Sequence, residues 1–188
     1  MSSVVISGDT SGTVTVAAPA VAGSNTLTLQ AATATNAVNT LSTAVASTSG
    51  TYIDFTGLPS WIKRITVMFS GTSLSGTANI LVQIGAGSVT SSGYTAGSIS
   101  GSTYVSSTAG FIVANNTTAA DLLSGIVLLT NITGNTWVSS GNINRPAAAV
   151  LPSAGNVALS GTLDRVRITT TNGTDTFDAG SVNILYEG

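Results

Sequence analysis

The chain has 188 residues, of which 43% are hydrophobic, 5% aromatic and only 6% charged, with a formal net charge of −2. Histidine and cysteine are both absent, which removes imidazole bases, thiolate nucleophiles and the usual zinc ligands. The five basic residues, Lys63, Arg64, Arg145, Arg165 and Arg167, are too few for a nucleic-acid footprint or for attraction to an anionic membrane.

Residues 1–30 read as an N-terminal arm of short strands and turns. Ser3–Ser7 is a short β run. Gly8, Asp9 and Gly12 bring turn chemistry. Thr13–Val16 and Asn25–Leu29 alternate polar and apolar residues, as half-buried strands do. An isolated hairpin of this size is marginal in water, so the arm is expected to need a partner surface. Its apolar positions are Val4, Ile6, Val14, Val16, Leu27 and Leu29. The N-terminus lacks a basic n-region and an apolar h-region, so no secretory signal is expected. No apolar run approaches the ~18 residues of a membrane helix, so no membrane insertion is expected either.

Residues 31–50 carry no acid or base and are expected to form a linker or short stalk. Ala34, Val38, Leu41 and Val45 form a heptad-like seam. The surrounding Thr, Asn and Ser are poor helix formers, so helical and extended readings both stand.

From residue 51 the strands are denser. Candidates are Tyr52–Phe55, Ile62–Ser70, Ala78–Ile84, Gly110–Ala114, Gly125–Asn131, Thr136–Ser140, Val157–Ser160, Arg165–Thr171 and Val182–Tyr186. Many short strands separated by Gly, Ser and Asn predict an all-β fold, an antiparallel jelly-roll-like β-sandwich over residues 51–188 preceded by the extended arm. Continuous apolar character places Ile126–Leu129 in a central strand. The Gly/Ser/Thr-rich Gly85–Thr108 reads as a long exposed loop or weak edge hairpin.

No residue set suggests catalysis. A glycosidase needs two carboxylates in one cleft, and the acids, among them Asp164, Asp175 and Asp178, show no such context. Asn172, Asp175 and Asp178 supply oxygen of the kind a hard cation takes, although their spacing is not that of an EF-hand loop; turn hydrogen bonding is the plainer role. Lys63 reads as a solvated strand-edge charge. Trp61 and Trp137 are expected to plug or line the core. Tyr94 and Tyr104, in the predicted loop, are the residues placed to contact a receptor. No cofactor and no metal is assigned.

Three blocks carry a resemblance: Ile6–Leu29, Tyr52–Phe69, and Ser160–Thr170 with Gly173–Tyr186. Together they resemble segments that recur in tail-fibre-like and other virion structural proteins of tailed bacteriophages. The resemblance implies a non-enzymatic virion protein, assembled in the host cytoplasm as a homotrimer. In it the arm would dock on other proteins of the tail, collar or capsid through Val4, Ile6, Val14, Val16, Leu27 and Leu29. The β-domain would meet a host surface glycan or protein. A capsid decoration or head-fibre protein, structural on the head shell, is the alternative the resemblance leaves open.

Overall fold

The computed structural model describes residues 3–7, 13–17, 38–115, 117–119, 121–146 and 149–188. The chain divides into two units, Met1–Asn36 and Ala37–Gly188. In the first, β1 (Ser3–Ser7) and β2 (Thr13–Ala17) form an antiparallel hairpin that sets Val4 opposite Val16 and Ile6 opposite Val14. Four of the six arm positions thus occupy two facing register pairs. Leu27 and Leu29, with the strand expected around them, lie outside the described residues.

The second unit is all-β among its described residues. Its strands are β3 (Asn39–Leu41), β4 (Val45–Ala46), β5 (Tyr52–Thr56), β6 (Arg64–Leu74), β7 (Ile80–Ala86), β8 (Ser88–Val89) and β9 (Thr95–Ser100). They continue with β10 (Thr103–Ser107), β11 (Phe111–Ala114), β12 (Leu123–Thr133), β13 (Thr136–Arg145), β14 (Ala149–Ala158), β15 (Arg165–Thr170) and β16 (Phe177–Glu187). The larger sheet runs β10-β9-β14-β13-β12-β6-β16-β3, with β4 also on β16; the smaller runs β11-β7-β15-β5, with β8 on β7.

The order is that of a jelly roll. Counting β5, β6, β7, β9, β10, β11, β12–β14 and β15 as eight successive positions, the first, eighth, third and sixth make the smaller sheet. The second, seventh, fourth and fifth make the larger, so the chain winds between two packed antiparallel sheets. The seventh position is here a three-strand meander, and β16 adds a strand beyond β6.

The residue alternation predicted from sequence sets which sides face the core. On β5, Ile53 and Phe55 are buried and their neighbours exposed; on β15, Val166, Ile168 and Thr170 point in. The larger sheet contributes Ile65, Val67, Val127, Leu129, Ile143, Leu151 and Ile184 to the same core. Each such side chain contributes roughly 1.5–3 kcal/mol by leaving water. The strand β7 is buried along nearly its whole length. Its outward Gln83 is covered by the chain before β11, with Gln83 Nε2 donating to Ala109 O at 2.8 Å. As expected, β12 is central, between β13 and β6; its Val127 and Leu129 are buried while Ile126 is exposed.

The segment Gly85–Thr108 takes the second of its two expected forms: it includes β8, β9 and the β9–β10 hairpin at the sheet edge. Two expectations differ from the structure. The strand expected at Val157–Ser160 is the end of a longer one, Ala149–Ala158. Pro152 hides its beginning, since proline is tolerated only where no ladder N–H is needed. That condition is met, because the β9 pairing stops at Ser153↔Ser98, one residue short of Pro152. Finally, β3 and β4 lie in the segment expected as linker or stalk, yet both pair with β16 as part of the larger sheet.

Candidate ligand-binding face around Tyr104

Charge is distributed unequally between the two sheets. The five neighbouring strands β10, β9, β14, β13 and β12 contain a single charged residue, Arg145 at the end of β13. Its ion-pair partner is Asp121, at 2.9 Å. On the smaller sheet, Arg167 and Asp54 are register partners and form a two-pronged pair at 2.7 and 2.6 Å, with the guanidinium 4.1 Å from the centre of the Tyr52 ring. Bidentate hydrogen bonding and the Asp54 charge raise the Arg167 pKa. Arg64 pairs with Glu187 at the other end of the larger sheet.

Between these ends, the outer face of the larger sheet is neutral. Register sets Ile126 beside Asn142 and Asn142 beside Pro152; in the next row stand Leu128, Ser140, Ala154 and Gly97. Amides, hydroxyls and apolar groups therefore alternate across the strands. On the edge hairpin, Tyr104 stands opposite Ile99, and its side chain is 65% exposed. The ring lies across Gly97: a Cβ on that glycine would overlap the Tyr104 hydroxyl and ring. Two depressions flank the ring, about 420 and 490 Å³ in volume, the first reaching Asn142 and Pro152, the second Val138 and Asn156. Together they form a trough with an aromatic ring in its middle and amides at both ends.

Tyr94 requires correction as a receptor contact. It is 2% exposed, and its ring meets Phe111 edge to face at 4.9 Å. Its hydroxyl accepts from Ile84 N at 2.8 Å and donates to Ile84 O at 3.2 Å. Burial pushes its pKa up to about 12. Tyr94 stands just before β9, where the chain enters the larger sheet, and its ring fills the space between the sheets. The surrounding Gly and Ser residues gave a loop-like composition that concealed a core anchor.

Asp164 and Asp175 are occupied by donors, whereas Asp178 is exposed at the start of β16. Asp164 accepts from Arg165 at 2.7 Å and from Gly87 N at 3.1 Å. Asp175 accepts from Ala78 N at 2.9 Å and from Asn172 Nδ2 at 2.8 Å. Asn172 Oδ1 in turn accepts from the backbone N of Thr174 and Asp175, each at 3.1 Å. These oxygens face N–H groups in the geometry of a turn clamp. Among the described residues, no three His, Cys, Asp or Glu residues gather as a metal cage. Trp137 is in the core as expected, whereas Trp61 is partly exposed and packs its ring against Tyr186 at 5.8 Å.

Sequence reasoning singled out Tyr104 but missed its trough. Asn142, Ala154 and Asn156 sit on strands whose outer positions are mostly small, hydroxyl and amide residues, with Val138, Val150 and Pro152 among them. The period-2 burial of Leu151, Ser153 and Val157 was the available signal. No protein-family model matches this chain, and no curated protein and no solved structure matches it either.

Proposed function

We propose that this chain is a non-enzymatic virion structural protein of a tailed bacteriophage, a short tail fibre or spike subunit. Its N-terminal arm docks on the particle, and its jelly-roll domain adheres to the host surface through the neutral face around Tyr104. The observation that carries the adhesive reading is the exposed Tyr104 ring lying over Gly97 within an uncharged trough. A carbohydrate presents C–H faces and hydroxyls together. An exposed ring covers the first, while Asn142, Asn156 and Ser140 supply donors and acceptors for the second. Such contacts are weak singly and gain strength from several copies on one particle.

The non-catalytic part of the reading is supported by the lack of His and Cys and by the engagement of Asp54, Asp121, Asp164, Asp175 and Glu187 with cations or N–H donors. The homotrimer is supported by apolar side chains on the β3–β4 edge, where Val38, Leu41 and Val45 are all exposed. Imaging of labelled chains on intact particles tests the assignment. Copies at the tail or collar are expected; copies spread over the head shell would instead make the chain a decoration protein.

A further inference from the structure

A second cavity, of about 220 Å³, lies away from Tyr104, where the β12–β13 turn meets the chain before β6 and the chain before β15. It is smaller than the ~300 Å³ at which drug-sized sites begin, which limits an occupant to about one sugar ring or a small acid. Lys63, Asn131, Asn135, Trp137, Ile62 and Leu163 are in its wall.

Lys63 is the one cation with no carboxylate within ion-pair distance among the described residues. Its place is fixed by its backbone, since Lys63 N donates to Glu187 O and Lys63 O accepts from Asn131 N, each at 2.8 Å. Asn131 is fixed too: its Nδ2 donates to Gly134 O at 2.9 Å and to Thr136 O at 3.2 Å. Both amide hydrogens are thereby used and Oδ1 is left as an acceptor. The opposite turn is tied down by Leu159 N donating to Asn135 O at 3.0 Å. Trp137 is 3% exposed and makes no side-chain hydrogen bond among the described residues. Its ring borders the cavity.

We propose that this cavity binds a single carboxylate-bearing sugar ring of the hexuronate type. The carboxylate sets against the Lys63 ammonium, ring hydroxyls meet the Asn131 and Asn135 amides and the indole N–H, and the C–H face packs on Trp137, Ile62 and Leu163. An ammonium selects an anion and amides select hydroxyls.

The test is a titration of the full chain with sodium glucuronate, read at the two indole N–H resonances by NMR and assigned with Trp61→Phe. The Trp137 resonance is expected to move saturably with a midpoint of about 1–10 mM. Lys63→Met should weaken that midpoint at least ~tenfold, and Lys63→Arg should keep it within ~threefold. Tyr104→Ala should leave it unchanged, so failure here is distinct from failure of the adhesion reading. A motionless Trp137 resonance, an equal response to glucose, acetate or phosphate, or unchanged binding by Lys63→Met each overturns the proposal.

Discussion

Tyr104 occupies the space that a side chain on Gly97 would fill. The two residues sit on neighbouring strands of the edge hairpin, β9 and β10, and the missing Cβ lets the ring lie along the sheet. Because Tyr104 is exposed and its ring is the mobile partner, Gly97→Ala should displace the ring without disturbing the core. Stability should change by no more than about 0.5 kcal/mol, the range of surface substitutions. Adhesion to host envelope should fall as far as it does for Tyr104→Ala. Parallel thermal melts and binding curves on both variants check this.

Tyr94→Phe should be costlier. The substitution keeps the edge-to-face contact with Phe111 but leaves Ile84 N without its acceptor; Ile84 O keeps a donor in Thr90 N at 3.0 Å. One unsatisfied buried donor corresponds to about 1–3 kcal/mol, measurable by denaturant unfolding.

The same tyrosine predicts alkaline behaviour. Its pKa is raised from 10.0 to about 12 by burial, so between those values the unfolded chain has already lost the proton that the folded chain keeps. The contribution of the buried neutral phenol is intact below pH 10 and is lost as pH rises towards about 12. Unfolding midpoints of the wild type should fall across that window, and those of Tyr94→Phe should fall less.

Acid acts in the opposite sense. Backbone and side-chain donors hold Asp175 below its ordinary value, Ala78 N first and Asn172 second. Arg165 does the same for Asp164, and Arg64 for Glu187. Folded pKa values below the unfolded ones give stability that is present above the ordinary carboxylate range and lost as pH falls through the lowered values. Asp175→Ala should make the protein less stable at neutral pH and flatten its acid sensitivity, which melts across pH 2–7 resolve.

The sheet pattern was legible wherever side chains alternate strongly. Arg165–Thr170 and Tyr52–Thr56 have large apolar residues at every second position, and both form as expected. Failure came where small residues do the same work. In Ala149–Ala158 the inward Ser153 is buried although polar, and Pro152 reads as a break although it stands beside an unpaired stretch of edge. Of the seam Ala34, Val38, Leu41 and Val45, Ala34 lies outside the described residues; the rest was visible, but its partner, β16, lies over a hundred residues away in sequence. Tyr104 could be singled out as an aromatic in a polar context; the strands that complete its trough are joined to it only by register.

The exposed seam also bears on assembly. Leu41 is 63% exposed beside Leu185 on β16. Leu41→Asp should give a monomer in light scattering where the wild type gives the proposed trimer, while leaving the sandwich folded. An unchanged trimer would move the interface elsewhere.

The most direct test of the central claim is binding of the purified chain to an array of bacterial surface polysaccharides, with Tyr104→Ala alongside. The account predicts saturable binding to at least one polysaccharide, reduced ~tenfold or more, about 1.4 kcal/mol, when the exposed ring is removed. Equal binding by both proteins, or none by the wild type, would contradict it.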